Sequence, residues 1–130
     1  MTRADKAKAL RALAATRVLV KDGPFGTAIQ ARRLTAVDYQ GDLALARDQK
    51  GNNDLLNLTR PDVIRAIVRD YLDAGANIVA TNTFNANAIS QADYGAEALV
   101  ADINRAAARL LREAVDAYEA EHPGTHHFVV

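Results

Sequence analysis

Val18-Leu19-Val20-Lys21-Asp22-Gly23-Pro24-Phe25-Gly26-Thr27 and Ala76-Asn77-Ile78-Val79-Ala80-Thr81-Asn82-Thr83-Phe84 share one grammar. Each is a short apolar, β-branched run that breaks into a loop of small and polar residues. A parallel strand buried on both faces reads as such a run, because no side of it faces water. The loop after it lies at the strand's C-terminal end, where ligands of parallel α/β folds bind. The two phrases therefore predict two parts of one binding rim.

Outward from these phrases, the pattern alternates. Ala4 to Ala15 is rich in Ala, Lys and Leu and predicts a short helix with one modest apolar stripe. Phe25 to Leu34 reads as a helix behind the glycine loop, and Thr35 to Asn57 as a long irregular segment broken at Gly41 and Gly51. Thr59-Arg60-Pro61-Asp62 marks a helix start, with Thr59 as the expected cap and Pro61 needing no amide partner. Val63, Ile64, Ile67, Val68 and Tyr71 then repeat at helical spacing, and Gly75 closes the helix. Asn87 to Tyr94 predicts a short helix and Ala96 to Ala120 a long one, terminated at Pro123-Gly124. His126 to Val130 reads as a third strand. The βαβ order predicts an α/β fold with a parallel sheet. The apolar Phe128-Val129-Val130 leads to the expectation that the chain is the first part of a longer fold, interrupted in its third strand. Such a piece has open strand edges, and self-association through them is expected.

Composition excludes several classes. The chain has 130 residues, 16 basic and 16 acidic, for a formal net charge of zero. Nucleic-acid and anionic-membrane binders carry a basic excess, so neither partner is expected. There is no cysteine, which removes disulfides and thiolate metal sites within the chain. No apolar run approaches the ~18 residues of a membrane span, and the charged N-terminus is no secretory signal. A cytoplasmic location is the expectation. Asn57-Leu58-Thr59 matches the glycosylation sequon by chance. His126 and His127 are neighbours on a strand and point to opposite faces, so they make no metal site. Ser90, the sole serine, lacks a glycine elbow.

Asp22 to Thr27 is the sharpest local motif. Asp22 ends a strand, and Gly23 and Gly26 allow tight turning and close backbone approach. Free amides before a helix attract a carboxylate or phosphate. One reading is a site for an amino-acid ligand, with its ammonium on Asp22 and its carboxylate on the loop amides. The plainer readings are a glycine turn capped by Asp22, or a phosphate site on Gly23 to Thr27. Thr81 to Asn85 offers hydroxyls and amides that orient a ligand but no group that titrates. Asn52, Asn53 and Asp54 either face the same cleft or form an Asx-rich turn.

Together these phrases resemble the homocysteine S-methyltransferase domain of cobalamin-dependent methionine synthase. The family's Asp-Gly-Ala-Met-Gly-Thr-x-Ile-Gln is similar to Asp22 to Gln30. Its Lys-Gly-Asn-Asn-Asp-Leu-Leu stands unchanged at Lys50 to Leu56, and its Glu-Thr-Asn-Thr-Phe-Asn resembles Ala80 to Asn85. Ala92-Asp93-Tyr94 and Ile103 to Ala107 also look like it. The resemblance runs from about Val18 to the last residue, leaving residues 1–16 as a helical extension and 17–130 as a partial homocysteine-binding barrel. It implies about three βα units of a TIM (β/α)8 barrel, a fold that needs about 250 residues. It implies that the full-length parent transfers a methyl group to zinc-activated homocysteine, giving methionine. The zinc ligands are cysteines of later strands, and methylcobalamin is supplied through other cobalamin and folate modules. It places substrate contacts at Asp22, Gly23, Phe25, Gly26, Thr27, Asn82 and Thr83, with no catalytic or metal residue in this chain, so the chain alone is expected to be inactive. Two positions depart from the family phrase. Ala80 replaces a glutamate, and Pro24 replaces a small residue and removes an amide. The alternative expectation is a stand-alone half-barrel that self-associates or binds a small ligand without catalysis.

Overall fold

The computed structural model describes residues Met1 to Val130. Seven α-helices surround a small parallel sheet: α1 (Arg3–Ala14), α2 (Phe25–Gln30), α3 (Ala36–Gln40), α4 (Leu56–Thr59), α5 (Pro61–Asp73), α6 (Ala88–Ala92) and α7 (Val100–Glu121), with strands β1 (Ile78–Val79) and β2 (Phe128–Val129). No helix is long and apolar enough to cross a membrane.

The core is a helix sandwich laid on one face of β1. Helix α5 turns Val63, Ile64, Ile67, Val68 and Leu72 inward, and α7 answers with Leu110, Leu111, Val115 and Tyr118. Val79 of β1 is fully buried among them. Truncating one such side chain, for example Leu111→Ala, removes ~2–5 kcal/mol. The α5 boundaries follow from sequence: Pro61 stands in the first turn, and Gly75, at φ 103°, takes the left-handed position after the last turn.

The sheet is more fragmentary than three full strands. β1 and β2 pair in parallel, Ile78 opposite Phe128 and Val79 opposite Val129. The expected first strand contributes a single parallel bridge, Lys21 to Ile78. Val18 and Val20 are 86% and 53% exposed. The apolar-run rule presumes cover on both faces; this run lies on the sheet's edge, where Val18 and Val20 are exposed and only Leu19 is half-buried. What emerges is an α/β segment with an open sheet, not a closed barrel.

Thr35 to Asn57 is more ordered than its composition suggests. Thr35 and Asp38 form a reciprocal capping box that starts α3. A 3-10 turn at Asn53–Leu55 leads directly into α4. Thr59 therefore lies inside α4 instead of capping α5, and its hydroxyl bonds back to the Leu55 carbonyl. Arg60 takes the cap position without a side-chain cap, while its guanidinium reaches Asp38 and Asp62 at 2.6 and 2.9 Å.

Candidate functional site

The ladder register explains how Asp22 is placed. Ile78 donates to the Val20 carbonyl and Asp22 to the Ile78 carbonyl, at 3.1 and 2.9 Å. The next rung of a parallel ladder would run from the Ala80 N–H to the Asp22 carbonyl. Here Ala80 instead donates 2.9 Å to Asp22 Oδ2. The carboxylate stands in for the main-chain acceptor, which frees the backbone to turn away into the Gly23 loop. The other oxygen, Oδ1, receives the Lys21 ammonium at 2.8 Å, and the Asp22 side chain is 1% exposed. Asp22 thus lies beneath the rim, tied to β1.

Above it opens a cleft of about 460 Å³, within the range of small-molecule sites. Gly23, Pro24, Phe25 and Gly26 form one wall, Ala80 to Asn85 another, and Gly51 to Asp54 the third, with Ser90, Asp93 and Tyr94 at the edge. Gly23 owes its lack of a side chain to Tyr71: a Cβ there would sit 2.8 Å from the phenol oxygen, which donates 2.7 Å to the Pro24 carbonyl. A Cβ at Gly26 would meet nothing within 4 Å, so this wall is open. No protein acceptor serves the N–H groups of Phe25, Gly26 and Thr27, the first turn of α2. Thr27 itself is exposed and its side chain stays outside the cleft.

Asn82 and Thr83 play different parts. Asn82 is buried; its amide donates 2.9 Å to the Asn53 carbonyl, and its own carbonyl accepts from Asn57 at 2.7 Å. It ties two walls together. Thr83 lines the cleft with its hydroxyl 2.7 Å from that of Thr81. Asp54, only 3% exposed, accepts 2.8 Å from the Asn85 N–H. Burial pushes its carboxyl above the usual carboxylate range, with the Asn85 hydrogen bond opposing.

The structure adds two buried glutamines that the sequence reading missed, Gln49 and Gln91, joined through Asn52. Asn52 and Gln91 exchange two hydrogen bonds, at 2.9 and 3.0 Å, in a reciprocal pair. Asn52 also donates to Gln49 Oε1, Gln91 to the Asn85 carbonyl, and Gln49 to the carbonyls of Arg47 and Tyr94. Gln49 and Gln91 are fully buried. The signal for them was slight: each is a lone amide beside a recognised phrase, Gln49 just before Lys50 and Gln91 just before Ala92-Asp93-Tyr94. Asn57, met above as part of a sequon, is also buried here and donates to the Asp54 carbonyl at 2.8 Å.

The residues present do not fit a metal site. The chain holds no cysteine, and no group of three His, Cys, Asp or Glu converges. What the cleft supplies is hydrogen-bond donors, one ammonium at Lys21 and two carboxyls, Asp54 and Asp93. That suits binding and orienting a small polar molecule.

Solved structures share this fold. The homocysteine methyltransferase MmuM from Escherichia coli, in its oxidized form, superposes with a TM-score of 0.73 at 27% identity, over 93% of this chain and 39% of that one. Its metallated form gives 0.69 at 28%, over 92% and 39%. The chain thus spans about two fifths of the length of MmuM. Residues 19–130, the stretch that carries all three walls of the cleft, match the family model for homocysteine S-methyltransferase, and the chain belongs to that family.

Proposed function

We propose that this chain forms the amino-acid end of the homocysteine pocket in a homocysteine S-methyltransferase, as the first three βα units of a TIM barrel completed by further sequence. The observation that carries this reading is the convergence of the Gly23, Asn53 and Thr81 loops on one polar cleft at the C-terminal side of a parallel sheet. In the pocket, the unpaired N–H groups of Phe25, Gly26 and Thr27 donate to the ligand carboxylate. Thr83 and the Asn82-braced loop orient the ligand beside them, and Asp22 fixes the strand end on which both walls stand.

In this reading zinc makes the thiol of homocysteine nucleophilic in the full-length parent. These residues offer it no ligand set, so in this reading the metal is held by parts of the parent outside the chain, and the methyl donor, methylcobalamin, arrives through other cobalamin and folate modules. The chain alone then makes no methionine. A cytoplasmic location fits this chemistry.

The test is an NMR titration of the labelled chain with L-homocysteine. Shifts should cluster at the amides of Gly23 to Thr27 and Thr81 to Asn85. Shifts scattered elsewhere, or none at 10 mM ligand (about the weakest binding worth assigning to a pocket of this kind, −3 kcal/mol or so), overturn the assignment. A second reading rests on the exposure of Val18 and Val20 along the open sheet edge: a half-barrel that pairs with itself there. Sedimentation showing a concentration-independent monomer rules that out.

A further inference from the structure

The cleft contains its own ammonium. Lys21 Nζ lies 2.8 Å from Asp22 Oδ1, and the Asp22 side chain has only 1% of its surface left open, against 58% for Lys21. Asp22 Oδ2 is already committed to the Ala80 N–H. Both carboxylate oxygens are therefore engaged, and the partner of Oδ1 is a cation of the kind an amino-acid ligand would bring.

We propose that Lys21 determines specificity in this cleft: its ammonium holds the Asp22 carboxylate in place of a ligand ammonium, so the cleft receives a thiol-bearing carboxylic acid at least as well as the corresponding amino acid. This rests on the reading of the cleft as the amino-acid end of the pocket. Alternation along a strand would turn Lys21 and Asp22 to opposite faces, yet the flexible lysine chain folds back over its neighbour. A tethered competitor acts at an effective concentration of mM or more. A free ammonium must exceed that before it gains the carboxylate. The cleft has no other cation among its lining residues, so Lys21 is also the side chain best placed to meet a ligand carboxylate. Ala80 adds no carboxylate of its own at this wall that would take up a displaced ammonium.

The experiment compares L-homocysteine with 4-sulfanylbutanoate, the same chain without the ammonium. Affinities are measured by calorimetry on the native chain, Lys21→Met and Lys21→Arg. The native chain should bind 4-sulfanylbutanoate as tightly as homocysteine or more so. Lys21→Met uncovers Asp22, so homocysteine should gain about tenfold over 4-sulfanylbutanoate, the factor of one charge-assisted hydrogen bond. Lys21→Arg keeps the charge and should behave as the native chain. A ratio unmoved by Lys21→Met, or a native preference for homocysteine, overturns the role of Lys21 while leaving the pocket intact. Absence of binding by either ligand to any of the three chains overturns the pocket and this proposal together.

Discussion

Replacing Gln91 by leucine should loosen two walls of the cleft at once, and its cost can be worked from the hydrogen bonds. The side chain is fully buried and makes a reciprocal pair with Asn52 while holding the Asn85 carbonyl. Gln91→Leu leaves Asn52 Oδ1 without a partner, whereas the Asn85 carbonyl keeps the Asn87 N–H at 2.9 Å and Asn52 Nδ2 keeps Gln49. An orphaned buried acceptor costs ~1–3 kcal/mol, so this one costs about 1.5 kcal/mol. Asn52→Leu orphans two acceptors, Gln91 Oε1 and Gln49 Oε1, and so costs about 3 kcal/mol. In the double variant the Asn52 and Gln91 atoms are gone, and only Gln49 Oε1 is orphaned. The double variant should therefore cost about 1.5 kcal/mol, not the ~4.5 of a simple sum, a coupling of ~3 kcal/mol.

Urea unfolding followed by circular dichroism reads this directly. With a slope of ~1–3 kcal/mol per M, Gln91→Leu lowers the midpoint by about 0.5–1.5 M and Asn52→Leu by about 1–3 M, and the double variant falls no further than Gln91→Leu. Single variants with unshifted midpoints, or a double variant that sums, refute the reasoning, because the amides would then be hydrated and not mutually dependent. The same variants should broaden the amide resonances of Gly51 to Asp54 and of Asn85.

Other perturbations probe the rest of the site. Ala80→Glu keeps the main-chain bond from Ala80 to Asp22 and adds a carboxylate to the cleft wall; homocysteine affinity should rise about tenfold by calorimetry, and an unchanged affinity counts against this wall as an ammonium contact. Gly23→Ala drives a Cβ to 2.8 Å from the Tyr71 oxygen and should cost ~1–3 kcal/mol in urea, part of which Tyr71→Phe restores by removing that oxygen. Burial holds the His127 imidazole below its ordinary value, with Glu119 opposing. The folded state then binds fewer protons than the unfolded one, so this stability is complete above about pH 6.5 and is lost as pH falls from there through the folded value. Midpoints measured from pH 8 to 5 should decline, and His127→Gln should flatten the decline.

Legibility of the sequence followed the range of the forces involved. Helix α5 could be read because its determinants are local: a proline in the first turn, apolar residues at helical spacing and a glycine beyond the end. The cap at Thr59 was misjudged because α4 precedes it, held by contacts with α7 and by the Asn57 bond to the Asn82 carbonyl, which no local pattern encodes. Thr35 to Asn57 looked irregular for the same reason. Its order comes from Gln49 and Asn52 meeting Tyr94 and Gln91, residues 45 and 39 positions away. The loops of the cleft were legible as phrases, and the structure does bring Gly23, Phe25, Gly26, Asn82 and Thr83 to one region. Their division of labour was not, since Asn82 braces while Thr83 faces the cavity.

Asp22 shows why a motif underdetermines its chemistry. An aspartate at the end of a strand before a glycine loop is compatible with a ligand contact or with a structural acceptor, and the spacing is the same for both. The register decides: with Ile78 bonded to Val20 and Asp22 to Ile78, the Ala80 N–H arrives where a rung is due, and the carboxylate takes it. Asp22→Asn tests that assignment separately from ligand binding. An amide oxygen can still accept from Ala80, so the strand end should survive with a loss of ~1 kcal/mol or less, while the Lys21 ammonium loses its anion. Asp22→Ala removes the acceptor and leaves a part-buried N–H unpaired, costing ~1–3 kcal/mol. Equal destabilisation by the two substitutions in urea would mean that the ion pair with Lys21, not the bond to Ala80, holds the rim in place.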